Sequence, residues 1–246
     1  MESVIYERIA EIEREHWWYE VRRMIVARLV DSLLPAHPNR AVLSAGCGTG
    51  TELHFLSRYG KVTGADPSDQ AIGFCRSSGV RADLVQAPLE RLPFSAGSFD
   101  AVFLLDVLEH IEAEGVALAE VSRVLKPGGL VVFTVPAFGF LWSRADLRAY
   151  HFRRYRRPEL REVLSRAGFT PLRLTYFNTF LFLPIVIAKL ISRVREPKLL
   201  EGLEVSMPPP ILNRLLKAVF SIEALLLPFF NLPVGVSLLA VVRKPG

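Results

Sequence analysis

Short apolar runs alternate with amphipathic and polar stretches along this chain, and the spacing of the runs predicts its elements. A helix is expected over residues 4–34, where charges are interspersed among apolar positions without an internal Pro or Gly; Pro35 and Pro38 close it. Ala41 to Ala45 reads as a buried strand that runs into the turn Gly46-Cys47-Gly48-Thr49-Gly50. A helix suits residues 52–59 and stops at Gly60, and a short strand over 61–65 delivers Asp66 at its tip. A further helix is expected over 68–77, closed by Gly79, followed by a strand over 82–86. Residues 99–105 and 130–135 have the continuous apolar, β-prone look of parallel strands covered on both faces. Between them a helix over 112–125 is broken by Lys126-Pro127-Gly128-Gly129. After Pro158 come a helix over 159–167 and a strand over 171–176. This alternation predicts an α/β fold, a doubly wound Rossmann-like sheet with right-handed crossovers.

The pattern changes towards the C-terminus. Residues 179–190 are almost wholly apolar, and a polar, Pro-rich linker covers 195–210. Residues 211–227 suit an amphipathic helix, with Arg214, Lys217 and Ser221 opposite Leu212, Leu215, Leu216, Val219 and Ile222. A last strand is expected over 236–242, antiparallel to an otherwise mostly parallel sheet. The expected organisation is a single domain over 1–246, with a helical lid at 1–38, a core at 39–176, an apolar helical insertion at 177–235 and a final strand at 236–243.

Composition narrows the class. Hydrophobic residues make up 50% of the 246 positions, enough for a sizeable core. Mean hydropathy is +0.28, high for a wholly soluble chain. A net charge of +5 permits an acidic substrate or an anionic membrane surface without requiring either. The two cysteines, Cys47 and Cys75, form no CxxC pair, so neither a disulfide framework nor a metal site is expected. The first eight residues are charged and lack the apolar core of a secretion signal, which makes the cytoplasm the expected compartment. The apolar C-terminal stretches leave two readings open. Lys189 interrupts the first, and Glu223, Pro228, Asn231, Pro233 and Gly235 disfavour the second as a membrane span. They suit either interfacial helices at the inner face of the membrane or a cap over an acceptor pocket or dimer surface.

The glycine turn carries the first chemistry. Its spacing is G-x-G-x-G, and Thr51 stands where a dinucleotide fingerprint needs its third glycine. That moves the ligand from a nicotinamide dinucleotide towards S-adenosyl-L-methionine (SAM), which has no pyrophosphate to cradle. Asp66 lies about 20 residues on, where an acid can bind a ribose diol. Leu92-Pro93-Phe94, Ser98-Phe99-Asp100, Leu105-Asp106-Val107-Leu108-Glu109-His110 and Leu125-Lys126-Pro127-Gly128-Gly129 follow in order. Together, over roughly residues 40–176, these motifs resemble the class I SAM-dependent methyltransferase family, in the branch with LPF, FD and LKPGG signatures. The resemblance implies methyl transfer from SAM to oxygen or carbon of a small acceptor, lipid-linked in one reading. It also implies cofactor contacts. Gly46, Gly48 and Gly50 would lie along the methionine part, Asp66 would accept from the ribose hydroxyls, and Pro67 would border the adenine. Leu89 belongs to the same set, and Leu105 and Asp106 would floor the sulfonium. Ser44 replaces the acid usual two residues before the first glycine, and Gln86-Ala87-Pro88-Leu89-Glu90 lacks the one usual near the adenine amine.

The segment Glu15-His16-Trp17-Trp18-Tyr19-Glu20-Val21-Arg22-Arg23 is similar to ones that precede the domain in bacterial relatives. Either it is a lid that brings Tyr19, Arg22 or Arg23 near the cofactor carboxylate, or Trp17 and Trp18 merely pack the helix on the sheet and leave the arginines solvated. A hydroxyl acceptor benefits from a base, and His110 and His151 are the candidates, with Glu109 and His16 beside them and a purely structural role as the alternative. Arg153 and Arg154, in an arginine-rich stretch around His151, suggest an anionic acceptor. Leu105-Asp106-Val107-Leu108 is not the N/D-P-P-Y/F motif of amino-methylating nucleic-acid enzymes, so no nucleic-acid partner is expected. A SAM-binding protein without turnover is the principal rival reading.

Overall fold

A computed structural model describes residues 9–194 and 207–246. Seven strands form one sheet: β1 (Ala41–Ala45), β2 (Lys61–Asp66), β3 (Asp83–Gln86), β4 (Phe99–Leu105), β5 (Leu125–Pro136), β6 (Thr170–Phe177) and β7 (Ser237–Arg243). Their order is β3-β2-β1-β4-β5-β7-β6. The first five are parallel, and β7 runs antiparallel between β5 and β6. This is the expected doubly wound sheet, and its order reverses between β1 and β4, where such sheets open a crevice at the carboxyl ends of their strands.

The helices are α1 (Trp17–Val30), α2 (Thr51–Leu56), α3 (Asp69–Ser77), α4 (Glu114–Val124), α5 (Arg144–Arg148), α6 (Arg157–Arg166), α7 (Phe182–Val194) and α8 (Pro210–Leu226). Period-two alternation sends each strand's side chains to two separate cores. Val102 and Leu104 of β4 join Leu118, Val121 and Leu160 on the side of α4 and α6. Ala101 and Phe103 join Ile25, Leu53 and Phe220 on the side of α1, α2 and α8. With both faces covered, the central strands β1, β4 and β7 and most of β5 are largely apolar, which is why β1, β4 and β5 could be read as parallel strands.

Three expectations need correction. The N-terminal helix is not continuous over 4–34. A helical turn over residues 9–12 ends, and His16 starts α1 in an extended conformation, its Nδ1 accepting from Trp18 N at 3.2 Å. Histidine is a weak capping signal, so periodicity ran straight through it. Lys126-Pro127-Gly128-Gly129 does not precede β5 but lies within it, and the irregularity is absorbed between the pairs Phe99–Leu125 and Ala101–Leu130. The stretch after β5, for which no helix was expected, contains α5, held by a capping box in which Ser143 N and Oγ donate to Asp146 Oδ2 at 2.7 and 3.0 Å. Part of the expected linker, 195–206, lies outside the described residues.

Helices α7 and α8 sit between β6 and β7 in the chain, and α8 clamps α1. Phe220, wholly buried, stacks on Trp18 at 5.5 Å and meets Trp17 edge-on at 5.7 Å. Asn213 Oδ1 accepts from Trp17 N at 2.9 Å, and Lys217 pairs with Glu20 at 2.8 Å. Both tryptophans of the aromatic segment therefore pack. Phe220→Ala should cost about 3–5 kcal/mol in denaturant unfolding, the usual loss for a buried Phe. A loss of less than about 1 kcal/mol would mean that α8 does not clamp α1.

Candidate active site

The carboxyl ends of β1, β2, β4 and β5 open into one cavity of about 1280 Å³. Ala45, Asp66, Leu105 and Pro136, the last or nearly last residues of those strands, all line it. The volume exceeds the roughly 300–1,000 Å³ common for a single ligand, so two can be held together.

At one end lies the glycine turn. Gly46 N and Cys47 N both donate to Ala65 O, at 2.7 and 3.1 Å, which pins the turn to β2. Asp66 is buried, and its two carboxylate oxygens accept from Gly48 N at 3.0 Å and Ser68 N at 2.9 Å. Burial raises its pKa, and those two N–H groups oppose the shift. An ionised carboxylate has about four acceptor sites, so two N–H bonds leave capacity for a diol. Gly48 has φ +51°, and a Cβ there would meet nothing within 4 Å, which leaves open space for a ligand against the backbone. Pro67 and Leu89 line the same end. Gly50 does not. It starts α2 at φ +88°, and a Cβ there would lie 3.1 Å from Cys75 Cα, so this glycine serves packing. Gln86, exposed, donates to Pro67 O instead of lining the cavity.

In the middle, Arg22 reaches in from α1. Its guanidinium is buried and donates to Glu52 Oε1 at 2.6 Å and to Asp106 Oδ2. Burial disfavours the charge, but the carboxylates of Glu52 and Asp106 outweigh it and hold the group protonated. Tyr19 lines the cavity beside it, with its ring under the guanidinium. Glu13 completes the group, accepting from Thr49 Oγ1; burial and the charge of Glu52 raise its pKa. Ser44 brings no carboxylate to the lining, but Glu13, Glu52 and Asp106 do. Glu13 and Glu52 were missed because no motif marks them; Glu52 has only its place in the first turn of α2 as a signal.

At the far end stand His110 and His151, their rings edge to face at 4.6 Å. Burial, then the charge of His151, lowers the His110 pKa to about 4. His151 Nδ1 lies 3.0 Å from Asp146 Oδ1. Glu109 is buried beside them, and burial followed by the charge of Asp106 pushes its carboxyl well above the usual range. Asp146 also takes a two-point contact from Arg154, whose Nε and Nη2 donate at 2.7 and 3.0 Å. Burial alone would raise Asp146, but bonds from His151 and Arg154 hold it below the usual carboxylate range. Arg154 thus lines the cavity with its charge committed to Asp146. Arg153 does not line it. Its guanidinium donates to Glu112 O and pairs with Glu114, each at 2.8 Å. The cations that line this wall besides Arg154 are Arg144, Arg148 and Lys189, which the sequence reading did not select.

The methyltransferase domain family model matches residues 43–133, from within β1 to near the end of β5. A protein of Mycolicibacterium smegmatis named a probable S-adenosylmethionine-dependent methyltransferase is 29% identical over 65% of this chain and 62% of its own length. Residues 43–133 thus match a methyltransferase domain, and these relatives support a class I SAM-dependent methyltransferase family. It spans about three fifths of the length of the curated relatives it matches first. Solved methyltransferases share the fold. A chain of the complex between the Haloferax volcanii Trm112 methyltransferase activator and a methyltransferase superposes with TM-score 0.63 at 18% identity, covering 98% of each chain. The 1,6-didemethyltoxoflavin-N1-methyltransferase of Burkholderia thailandensis, solved with S-adenosylhomocysteine, gives TM-score 0.54 at 21% identity over 93% of this chain and 81% of its own. SAM is the family's cofactor, and the open backbone at Gly48 and the spare acceptor capacity of Asp66 fit it.

The two glycines separate strain from packing. Gly48→Ala should cost about 1–2 kcal/mol, the strain of a left-handed residue alone. Gly50→Ala adds the collision with Cys75 and should cost more. Denaturant unfolding of both variants checks the order, and equal losses would contradict the assigned contacts.

Proposed function

We propose that this protein transfers a methyl group from SAM to oxygen or carbon of a small acceptor. The observation that carries the reading is the single cavity that joins the Gly48–Asp66 end to the His110–His151 end. SAM, when bound, supplies an electrophilic methyl group on a sulfonium. The chain's part is to align the acceptor with it and exclude water, which can account for several kcal/mol of the barrier. Asp66 accepts the ribose hydroxyls, Pro67 and Leu89 border the adenine, and Gly46, Gly48, Leu105 and Asp106 shape the path between them. Tyr19 and Arg22 close the cavity over the carboxylate end. His110 and His151 meet the acceptor.

Two features support an apolar, anionic acceptor, such as a lipid-linked one. Ile185, Ala188 and Leu216 from α7 and α8 wall the cavity, and Arg144, Arg148 and Lys189 give it a cationic side. Outside, Leu183, Ile187, Ile211, Phe229 and Phe230 are exposed, with Phe229 at 75%. No described helix is long and apolar enough to cross a membrane. Contact with the inner face of the membrane through these residues is the reading they favour, with the body of the protein in the cytoplasm.

Asp66→Ala should weaken S-adenosylhomocysteine binding about 10- to 100-fold in calorimetry, the loss of a charge-assisted hydrogen-bond acceptor. Unchanged affinity in a folded variant would overturn the assigned cofactor end. The wild type should sediment with vesicles of anionic phospholipid at low salt, and Phe229→Ser with Phe230→Ser should not. No sedimentation of the wild type would favour a cap over the pocket.

A further inference from the structure

We propose that Glu109, His110 and His151 form a binding site for a divalent transition cation at the acceptor end of the cavity. The composition of the chain gave no expectation of a metal, because its cysteines are unsuited and the three residues are split between β4's exit and the stretch after α5. The fold brings one donor atom from each to within 4.8 Å of one another. Metal–ligand bonds of about 2.0–2.2 Å place donors roughly 3–3.5 Å apart, so side-chain shifts of about an ångström close the site.

Three observations support it independently. First, Glu109 is 1% exposed and its Oε2 has no hydrogen-bond partner, so a buried acceptor faces the cavity unanswered. Of the buried side-chain oxygens without a partner among the described residues, this one stands beside two imidazoles. Second, both imidazoles are already oriented as metal-binding histidines are, with the remaining ring N–H held by the protein. His151 Nδ1 is held by the Asp146 carboxylate at 3.0 Å, which leaves Nε2 as the lone-pair donor, and His110 bonds the Ala149 backbone. Third, two of the guanidiniums that line the cavity, Arg22 and Arg154, are paired with carboxylates. Asp146 clasps Arg154, and Glu52 with Asp106 clasps Arg22, so neither of these charges competes with a cation for the Glu109 carboxylate.

Two imidazoles and one carboxylate suit zinc, iron(II), manganese and cobalt rather than calcium or magnesium. Three protein ligands leave coordination positions open, and the open side is the cavity. The cation's role rests on the methyl-transfer reading above: an acceptor oxygen becomes the next ligand and is thereby held in place.

The test uses the full chain after chelator treatment, titrated with Co²⁺ and followed by visible absorption and calorimetry. One Co²⁺ per chain is expected, with the absorption of nitrogen and oxygen coordination. His110→Ala, His151→Ala and Glu109→Gln should each weaken binding at least 100-fold, and Asp146→Asn about 10- to 100-fold through the ligand it orients. Circular dichroism checks each fold, and His151→Gln replaces His151→Ala should the latter unfold. Asp66→Ala should bind Co²⁺ as the wild type does while losing S-adenosylhomocysteine. A wild type that binds S-adenosylhomocysteine but no Co²⁺ overturns the cation site alone. Co²⁺ affinity unchanged in all three ligand variants overturns it as well. Co²⁺ uptake without S-adenosylhomocysteine binding leaves the site standing and overturns the methyl-transfer reading.

Discussion

Arg22 is a charge shut away from water, and the arrangement around it ties the structure to its chemistry. A buried guanidinium persists only where carboxylates answer it, and removing one partner of such a set typically costs about 3–5 kcal/mol. Here Glu52 comes from the helix after the glycine turn and Asp106 from the exit of β4, while Arg22 itself comes from α1. Three elements distant in sequence are therefore held in one register around the middle of the cavity. The apolar clamp between α1 and α8 positions the helix, and the ion pairs decide where along the sheet edge it sits.

The exit of β4 shows how much one short turn can be asked to do. Asp106 has φ +58°, a left-handed conformation that Asp tolerates better than most residues, and its N–H is secured to Thr134 O at 2.9 Å. Backbone held in such a region tends to mark functional sites, where the surroundings over-determine it. The bend turns Asp106 towards Arg22, and the 3₁₀ turn over Leu108–His110 then delivers Glu109 and His110 to the acceptor wall. One motif thus serves both halves of the cavity.

Asp146 plays the corresponding part on the opposite wall. It caps α5, clasps Arg154 and orients His151. The sequence reading treated Arg153 and Arg154 alike as contacts for an acidic substrate. The fold separates them: adjacent side chains of an extended segment point to opposite sides, so one meets Glu114 on the outer surface and the other Asp146 within.

Much of this molecule is local in origin. The central strands of the sheet were legible because both of its faces are buried there, so β1, β4 and the second half of β5 are largely apolar runs. The glycine turn and Asp66 were legible because a backbone opening beside a ligand and a carboxylate at a strand tip need particular residue types at fixed spacing. Other features were decided only by tertiary structure. The break at His16, the helix α5, the carboxylates of Glu13 and Glu52, and the meeting of Glu109, His110 and His151 carry no local pattern. Their energies come from partners far along the chain: a charge is stable in the interior only opposite another charge, and which residues stand opposite is known once the sheet has brought its carboxyl ends together.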